Sequence, residues 1–394
     1  MFETIAPVYE KIYGSDHTNE PLKFFAPGRV NLIGEHTDHE GGYVLPCAIT
    51  SGIYALANLR DGHSLRLYSL NFDDDFTPFE IDFNDINKKI DGSKSWVNYP
   101  LGVVNELKKL GINFSSGIDI IYNGNLPGGA GLSSSAAIEV LTVEIFNRLF
   151  NLNINSVERA KISQRAENNF VGMMCGIMDQ FAVSTGKKDH AVLLNCSTLE
   201  YSYVPLKLGT DKIIITNSNV KHSLAGSEYN LRRQQCEAAL KIIQSVKNNI
   251  TCLSDVRPSE FETLASAIKD PEILKRARHV ITENARAIEA AEKLRAGDLK
   301  AFGKLMNASH ISLRDNYQVT ISELDILADL AWNINGVKGS RMTGGGFGGC
   351  TVSIVEDGAV QIFQETISRE YTKQTGRKAD FYILDTSDGA SQIF

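Results

Sequence analysis

The residues from Leu126 to Val140 read LPGGAGLSSSAAIEV. Glycines followed by serines and then by an apolar run make a ready phosphate site. Glycine lets backbone come close to an anion and bend where side chains would clash. The first turn of a helix behind such a loop supplies unpaired N–H groups and the positive end of its dipole. Ser133 or Ser134 can cap that turn, and the remaining hydroxyls can reach an oxygen or a hydrated metal ion. A lone loop of this kind is also a common way to start a buried helix, so its weight comes from the rest of the chain.

Three other stretches add that weight. Arg29, Glu35, His36 and Asp38 fall within ten positions of one another, in a polar loop closed by Gly41 and Gly42. Glu and Asp can accept hydrogen bonds from sugar hydroxyls, and His can donate or accept. Arg29 is a fixed cation able to hold a phosphate oxygen or a carboxylate. His36 and His39 raise the alternative of a metal site, against which stand the absence of HExxH and of a second ligand set. Asp179 lies in GIMDQF, in apolar company; such a carboxylate is either paired in a structural salt bridge or functional, with Arg29 as one candidate partner. Thr343–Cys350, TGGGFGGC, has the GxGxxG spacing at Gly344, Gly346 and Gly349. The dinucleotide fingerprint must open a helix, whereas Cys350–Val355 reads as a strand. This loop is expected instead to bring backbone close to a ligand or to the other half of the protein, or to be a flexible hairpin. No P-loop, HRD, DFG or GxSxG motif is present, which argues against P-loop enzymes, protein kinases and serine hydrolases.

The elements that would position these loops follow from periodicity. Phe24–Ile33 reads as a strand with a Pro-Gly break, and Ile53–Leu59 and Ser64–Ser69 as two more. Trp96–Leu110 has apolar residues at helical spacing. Gly117–Tyr122 is a strand that delivers the chain to the Gly/Ser loop. Ser156–Phe170 is expected to be helical with Ser156 as its cap, and the stretch around Asp179 to interrupt the pattern before a strand at Ala191–Asn195. After a strand at Lys212–Thr216 come helices at Ser227–Val246, Ser259–Ile268, Pro271–Arg295, Ala301–Met306 and Ile321–Ile334. A hairpin at Ser340–Val355, a helix at Gln361–Thr375 and a strand at Ala379–Leu384 close the chain. Strands and helices mix in both halves, which makes the class α+β. The boundary between the halves is placed at 1–205 and 206–394.

The bulk numbers set limits. With 394 residues there is room for two or three structural units and a substantial core. A formal net charge of −7 argues against a nucleic-acid surface. No apolar run is long enough for a bilayer span, and Met1–Glu20 lacks the apolar core of a secretory signal. The six cysteines form no CxxC pair. They fit reduced thiols in a cytoplasm, and neither a disulfide framework nor a zinc site.

Taken together, the motifs resemble a known family. PGRVNLIGEHTDHEGGYVLP resembles the galactokinase signature. LPGGAGLSSSAA and MTGGGFGGC resemble the ATP-binding and third motifs of the GHMP kinases. The likeness continues through GIMDQ, GSEYNLRRQQC and HVITENAR and covers nearly the whole chain. It implies a two-lobed fold, with an N-terminal half like the second domain of ribosomal protein S5, a C-terminal ferredoxin-like half, and the active site between them. It implies ATP-dependent phosphorylation of the C1 hydroxyl of α-D-galactose, the opening phosphorylation of galactose catabolism; the protein is expected to be a cytoplasmic monomer with no membrane or nucleic-acid partner. Asp179 matches the catalytic aspartate and Arg29 the arginine beside it. Glu35, His36, Thr37, Asp38, Gly176 and Tyr229 match the sugar contacts. Gly129, Ala130, Gly131, Leu132, Ser133, Ser134 and Ser135 match the nucleotide-phosphate loop. Ser135 and Glu167 match the Mg²⁺ positions, and Trp96 and Ser69 fall where the adenine is expected. His39 departs from the tyrosine of many members. Whether Asp179 acts as a base or only orients the hydroxyl stays open at this level, as do a kinase for a neighbouring sugar and a non-catalytic sugar sensor.

Overall fold

Strict alternation along β-strands sorts the first half of the chain into two faces of one sheet. The computed structural model describes residues 1–14, 20–127, 131–220 and 225–394. It begins with helix α1 (Phe2–Tyr13) and strands β1 (Leu22–Asn31), β2 (Tyr43–Val44), β3 (Pro46–Arg60), β4 (Ser64–Ser69) and β5 (Phe79–Asp82). Helix α2 (Asn98–Lys109), strand β6 (Gly117–Gly124) and helices α3 (Ser134–Leu149), α4 (Ser156–Ala166) and α5 (Met178–Thr185) follow. Strands β7 (His190–Asn195), β8 (Tyr201–Pro205) and β9 (Lys212–Asn217) lead to helices α6 (Ala225–Val246), α7 (Pro258–Leu264), α8 (Pro271–Ala296), α9 (Leu299–Ser312) and α10 (Ser322–Trp332). The chain ends with β10 (Val337–Thr343), β11 (Cys350–Val355), α11 (Val360–Thr375), β12 (Asp380–Leu384) and β13 (Ser391–Ile393).

The first sheet has the order β13-β1-β3-β6-β4-β5, with β4 and β6 parallel. Ile118, Ile120 and Tyr122 of β6 face α2, α3 and α4, while Ile121 between them packs on Ile5, Tyr9 and Tyr13 of α1. This is the two-residue period of a strand buried on both sides. The Pro-Gly break in β1 is a register shift between Pro27 and Gly28, a bulge that re-aims the next side chain. A Cβ on Gly28 would lie 2.8 Å from the Leu132 carbonyl. Only glycine lets the Gly/Ser loop lie alongside β1, where Arg29 N donates to Leu132 O at 3.2 Å.

The second sheet has the order β10-β11-β9-β12, every neighbouring pair antiparallel. Its chain order, β9-α10-β10-β11-α11-β12 with the last strand beside the first, is the split β-α-β motif of ferredoxin-like folds. Helices α10 and α11 cover one face through Leu327, Ala331, Phe363, Ile367 and Tyr371. On the other face Ile213, Ile215, Val352 and Ile354 join Ala287, Ala290, Phe302 and Met306 of α8 and α9, and the same cluster takes in Val30, Leu32 and Leu45 from the first half. That shared core fixes the two halves against each other; truncating its fully buried Phe302 costs about 3–5 kcal/mol. A third sheet, β2-β7-β8, lies beside the polar loop. Among the described residues no helix is long and apolar enough to cross a membrane.

Several elements differ from their sequence expectations. Asn155, not Ser156, caps α4, accepting from Glu158 N at 3.0 Å. Asp179 sits in the first turn of α5, a helix short enough to hide among glycines and methionines. Helix α9 is twice the expected length. Strands β2, β5, β8 and β13 are too short to show a period. The 205/206 division falls between β8 and β9, but β13 crosses back and pairs with β1.

Candidate active site

Arg29 leaves the bulge in β1 and meets Asp179 at the start of α5. Its Nε donates to Oδ1 at 2.7 Å and its Nη2 to Oδ2 at 2.6 Å, while Nη1 donates to Gly131 O at 2.7 Å. This bidentate, charge-assisted pair fixes the carboxylate plane. Ser133 also donates to Asp179 Oδ2. Ser133 stands at the N-cap of α3 with φ 61° and ψ 50°, and its side chain caps nothing. The expected cap is thus replaced by a hydroxyl drawn to a carboxylate, and the first turn of α3 lines a cavity of about 780 Å³.

That cavity is lined by three loops far apart in sequence. Gly131–Ser135 forms one wall, Glu35, His36 and Asp38 a second, and Gly344–Gly346 a third, with Cys175, Gly176, Asp179, Tyr229 and Asn230 completing it. The TGGGFGGC loop therefore brings backbone to both a cavity and the other half. Gly344 N donates to Glu35 Oε1 at 2.7 Å, and His36 Nε2 lies 3.2 Å from Gly345 O. A carbonyl only accepts, so Nε2 carries the proton. Gly346 has φ 81°, and a Cβ there would lie 2.3 Å from Val319 O.

Burial and partners set the charges of the polar loop. Glu35 is buried, which pushes its carboxyl up; Arg341, Asn31 and Gly344 N oppose that. His36 is pushed down to about 3 by burial, its ring 4.7 Å from that of Tyr317 and 5.5 Å from that of Tyr229. The loop is pinned from behind by α8. Gly34 N donates to Glu283 Oε1 at 3.0 Å, Tyr43 N to Asn284 Oδ1 at 2.7 Å, and His279 Nε2 lies 3.1 Å from Glu35 O.

A second carboxylate cluster lies behind Asp179. Glu167 is buried, accepts from Gln180 Nε2 at 2.5 Å and lies 3.5 Å from Cys175 Sγ. Its carboxyl is pushed up by burial and by the negative charge of Asp179. Glu139 of α3 stands beyond it, pushed further up by burial and by Glu167, with Oε1 lacking a hydrogen-bond partner among the described residues. Crowded buried carboxylates beside the Ser135 hydroxyl supply hard oxygen donors in need of positive charge, and this fits Mg²⁺.

Comparison with known proteins gives this cavity its context. The galactokinase galactose-binding signature matches residues 8–59. The GHMP kinases N-terminal domain matches 98–187 and the GHMP kinases C-terminal domain 290–373. The chain is 54% identical to a galactokinase of Clostridium acetobutylicum over 94% of both chains, and 48% identical to one of Fusobacterium nucleatum over the full length of both. The chain belongs to the galactokinase family of GHMP kinases. The fold agrees: the crystal structure of Lactococcus lactis galactokinase complexed with galactose superposes with a TM-score of 0.95 at 39% identity over all of both chains. A Methanococcus jannaschii mevalonate kinase shares the fold at 17% identity, with a TM-score of 0.66, covering 94% of this chain and 100% of that one.

In this galactokinase-family chain most residues singled out by sequence come together. Arg29, Glu35, His36, Asp38, Gly131–Ser135, Gly176, Asp179 and Tyr229 all line the one cavity. Thr37 does not: it is fully buried, and its hydroxyl donates to Gly34 O and Tyr43 O, holding the loop closed. Glu167 stands one layer behind the wall, next to Ser135 and Cys175. Ser69 and Trp96 lie outside this cavity. Asp73 links them, accepting from Ser69 N and Trp96 Nε1, and the indole is stacked beneath the exposed ring of Phe72. Gly129 and Ala130 lie outside the described residues. Sequence reasoning missed Glu139, Gln180, His279, Glu283, Asn284 and Arg341. The last four sit in the HVITENAR and MTGGGFGGC neighbourhoods, whose helical or strand spacing gave no sign of the loop they hold.

Proposed function

We propose that the chain transfers the γ-phosphoryl group of ATP to the C1 hydroxyl of α-D-galactose, giving α-D-galactose 1-phosphate and ADP. The observation that carries this is the Arg29–Asp179 pair, set between the N-terminus of α3 and the polar loop within one cavity. The N–H groups and dipole of α3 receive the phosphates. Glu35, His36, Asp38, Gly176 and Tyr229 receive the sugar. Asp179, held in plane by Arg29 and Ser133, takes the C1 proton as the new P–O bond forms, and Arg29 offsets charge on the phosphoryl group in flight. Phosphoryl transfer is mostly positioning and charge neutralisation, and the fixed guanidinium–carboxylate plane supplies both. Ser135 and Glu167 would hold Mg²⁺, which when bound neutralises phosphate charge. Location in the cytoplasm is part of the same proposal, supported by six cysteines that are all free thiols.

The test is ADP release with Mg-ATP across galactose, glucose, N-acetylgalactosamine, arabinose, homoserine and mevalonate, with Asp179→Ala as control. Turnover with galactose alone, lost in the variant, is the expected result. Turnover with another acceptor only would keep the phosphate site and overturn the sugar assignment. Binding of both ligands without turnover would overturn the kinase reading. For the metal, unchanged Mg²⁺ dependence in both Ser135→Ala and Glu167→Ala would remove these residues from that role.

A further inference from the structure

His39 directly follows the cavity-lining carboxylate of Asp38 and is itself absent from the cavity wall. Its side chain is 3% exposed, with Nδ1 3.3 Å from Asp38 Oδ1. On its other edge Nε2 lies 3.4 Å from Tyr317 Oη. Glu40 stands 3.9 Å from the same nitrogen, beyond hydrogen-bond range. Tyr229 Oη is 3.5 Å from Nδ1, at the limit of that range. An ionised carboxylate only accepts, so the imidazole proton sits on Nδ1 and points at Asp38. Nε2 is then the acceptor for the Tyr317 hydroxyl, whose oxygen also lies 3.6 Å from Cys236 Sγ. The result is a directed chain from Tyr317 through His39 to Asp38.

On its other side Asp38 packs closely against Gly176. A Cβ on Gly176 would fall 1.8 Å from Asp38 Oδ2. The carboxylate thus has one hydrogen-bonded oxygen against His39 and one oxygen fitted into the gap that glycine leaves. Burial pushes the Asp38 carboxyl up, and the side-chain and backbone hydrogen bonds of His39, with the electrostatic influence of the His39 and His36 rings, more than offset this, leaving it below the usual range.

We propose that His39 is a positioning residue for sugar recognition: its Nδ1–H sets the orientation of the Asp38 carboxylate, and Tyr317 sets the tautomer and angle of His39. This rests on the assignment of Asp38 to the sugar. Second-layer donors of this kind act through the group they hold. Removing His39's donor therefore weakens galactose capture and spares the nucleotide side and the chemical step.

The experiment is steady-state kinetics of galactose and ATP for His39→Phe, His39→Asn and Asp38→Asn. Phenylalanine keeps the ring without a donor; asparagine places an amide N–H close to where Nδ1 stands. His39→Phe is expected to raise the galactose KM about ten-fold, as loss of a hydrogen bond to a charged group does, with kcat and the ATP KM within about two-fold. His39→Asn should recover most of that loss. The double variant Asp38→Asn/His39→Phe should be no worse than Asp38→Asn alone, because the two residues act as one unit. A His39→Phe enzyme with unchanged galactose KM, equal losses in the Phe and Asn variants, or parallel rises in both KM values would overturn the inference. If Asp38→Asn itself leaves the galactose KM unchanged, the assignment of Asp38 falls instead.

Discussion

The loop from Gly34 to Gly42 and the loop from Gly131 to Ser135 meet at one cavity but are held in different ways. The second is held from its own half: Arg29 of β1 reaches Gly131 O, and Ser133 reaches Asp179 of α5. The first is held across the joint: Glu283, Asn284 and His279 of α8, and Arg341 and Gly344 at the end of β10, grip its backbone and Glu35. The wall proposed to take phosphate is therefore a local product of the first half, and the wall proposed to take the sugar exists only when the two halves are packed. Damage to the second half should be felt first by sugar binding.

The largest effect belongs to the group both walls share. Asp179→Ala removes the proposed proton acceptor and leaves Arg29 and Ser133 without their common partner. Turnover should fall by about 10²–10⁴. Near-normal kcat would show that the pair only braces the loop.

Glu283→Ala sharpens the contrast. It removes the acceptor for the buried Gly34 N and Ser309 hydroxyl and the partner of the half-buried Arg286. Breaking one member of such a set costs about 3–5 kcal/mol, readable as a lower urea midpoint. In protein that still folds, the galactose KM should rise while the ATP KM stays put; equal rises would erase the distinction between the walls.

Acid should act on the same wall. His279, at about 4, is pushed down by burial, between Ser312 Oγ and the Glu35 carbonyl. Its folded value lies below the usual 6.5, so the unfolded chain binds more protons and stability falls as pH drops through that window. His279→Gln should remove this component. The stability difference between the two proteins should then shift by about 3 kcal/mol between pH 6.5 and 4 in denaturant titrations. A pH-independent difference would contradict the buried neutral imidazole.

The smallest expected change is Gly176→Ala. Its Cβ would overlap Asp38 Oδ2, and moving the carboxylate to relieve a local overlap costs about 1–3 kcal/mol. Galactose KM should rise about ten-fold with ATP KM unaffected. A loss confined to ATP would place Gly176 on the other wall.

Legibility in the sequence follows the same divide. The three loops were visible because glycine, serine and charge in tight clusters have few structural uses, and Asp179 because a carboxylate among apolar residues needs a partner. The hairpin at the third loop was visible because a strand-like run, Cys350–Val355, follows a loop with five glycines and no helix opens there. The grip of α8 was not: His279, Glu283 and Asn284 fall on one helix more than 240 positions from the loop, and only the packing of the halves reveals what they face. Ser133 was misread as a cap because local spacing cannot show a carboxylate 46 residues away competing for its hydroxyl. Thr37 carries the right chemistry for a sugar but points its hydroxyl into its own loop. The short strands left no trace, since two to five residues are too few for a period to stand out.

Strand β13 gives the molecule a property in time. Lys23–Phe25 of β1 pairs with Ser391–Ile393, so the outer edge of the first sheet is completed by residues translated after almost everything else described. On the ribosome, the half that carries the phosphate loop emerges with one strand edge bare. Such edges invite pairing with other nascent chains. The wait for β13 makes the finished first half a product of late rather than of early synthesis.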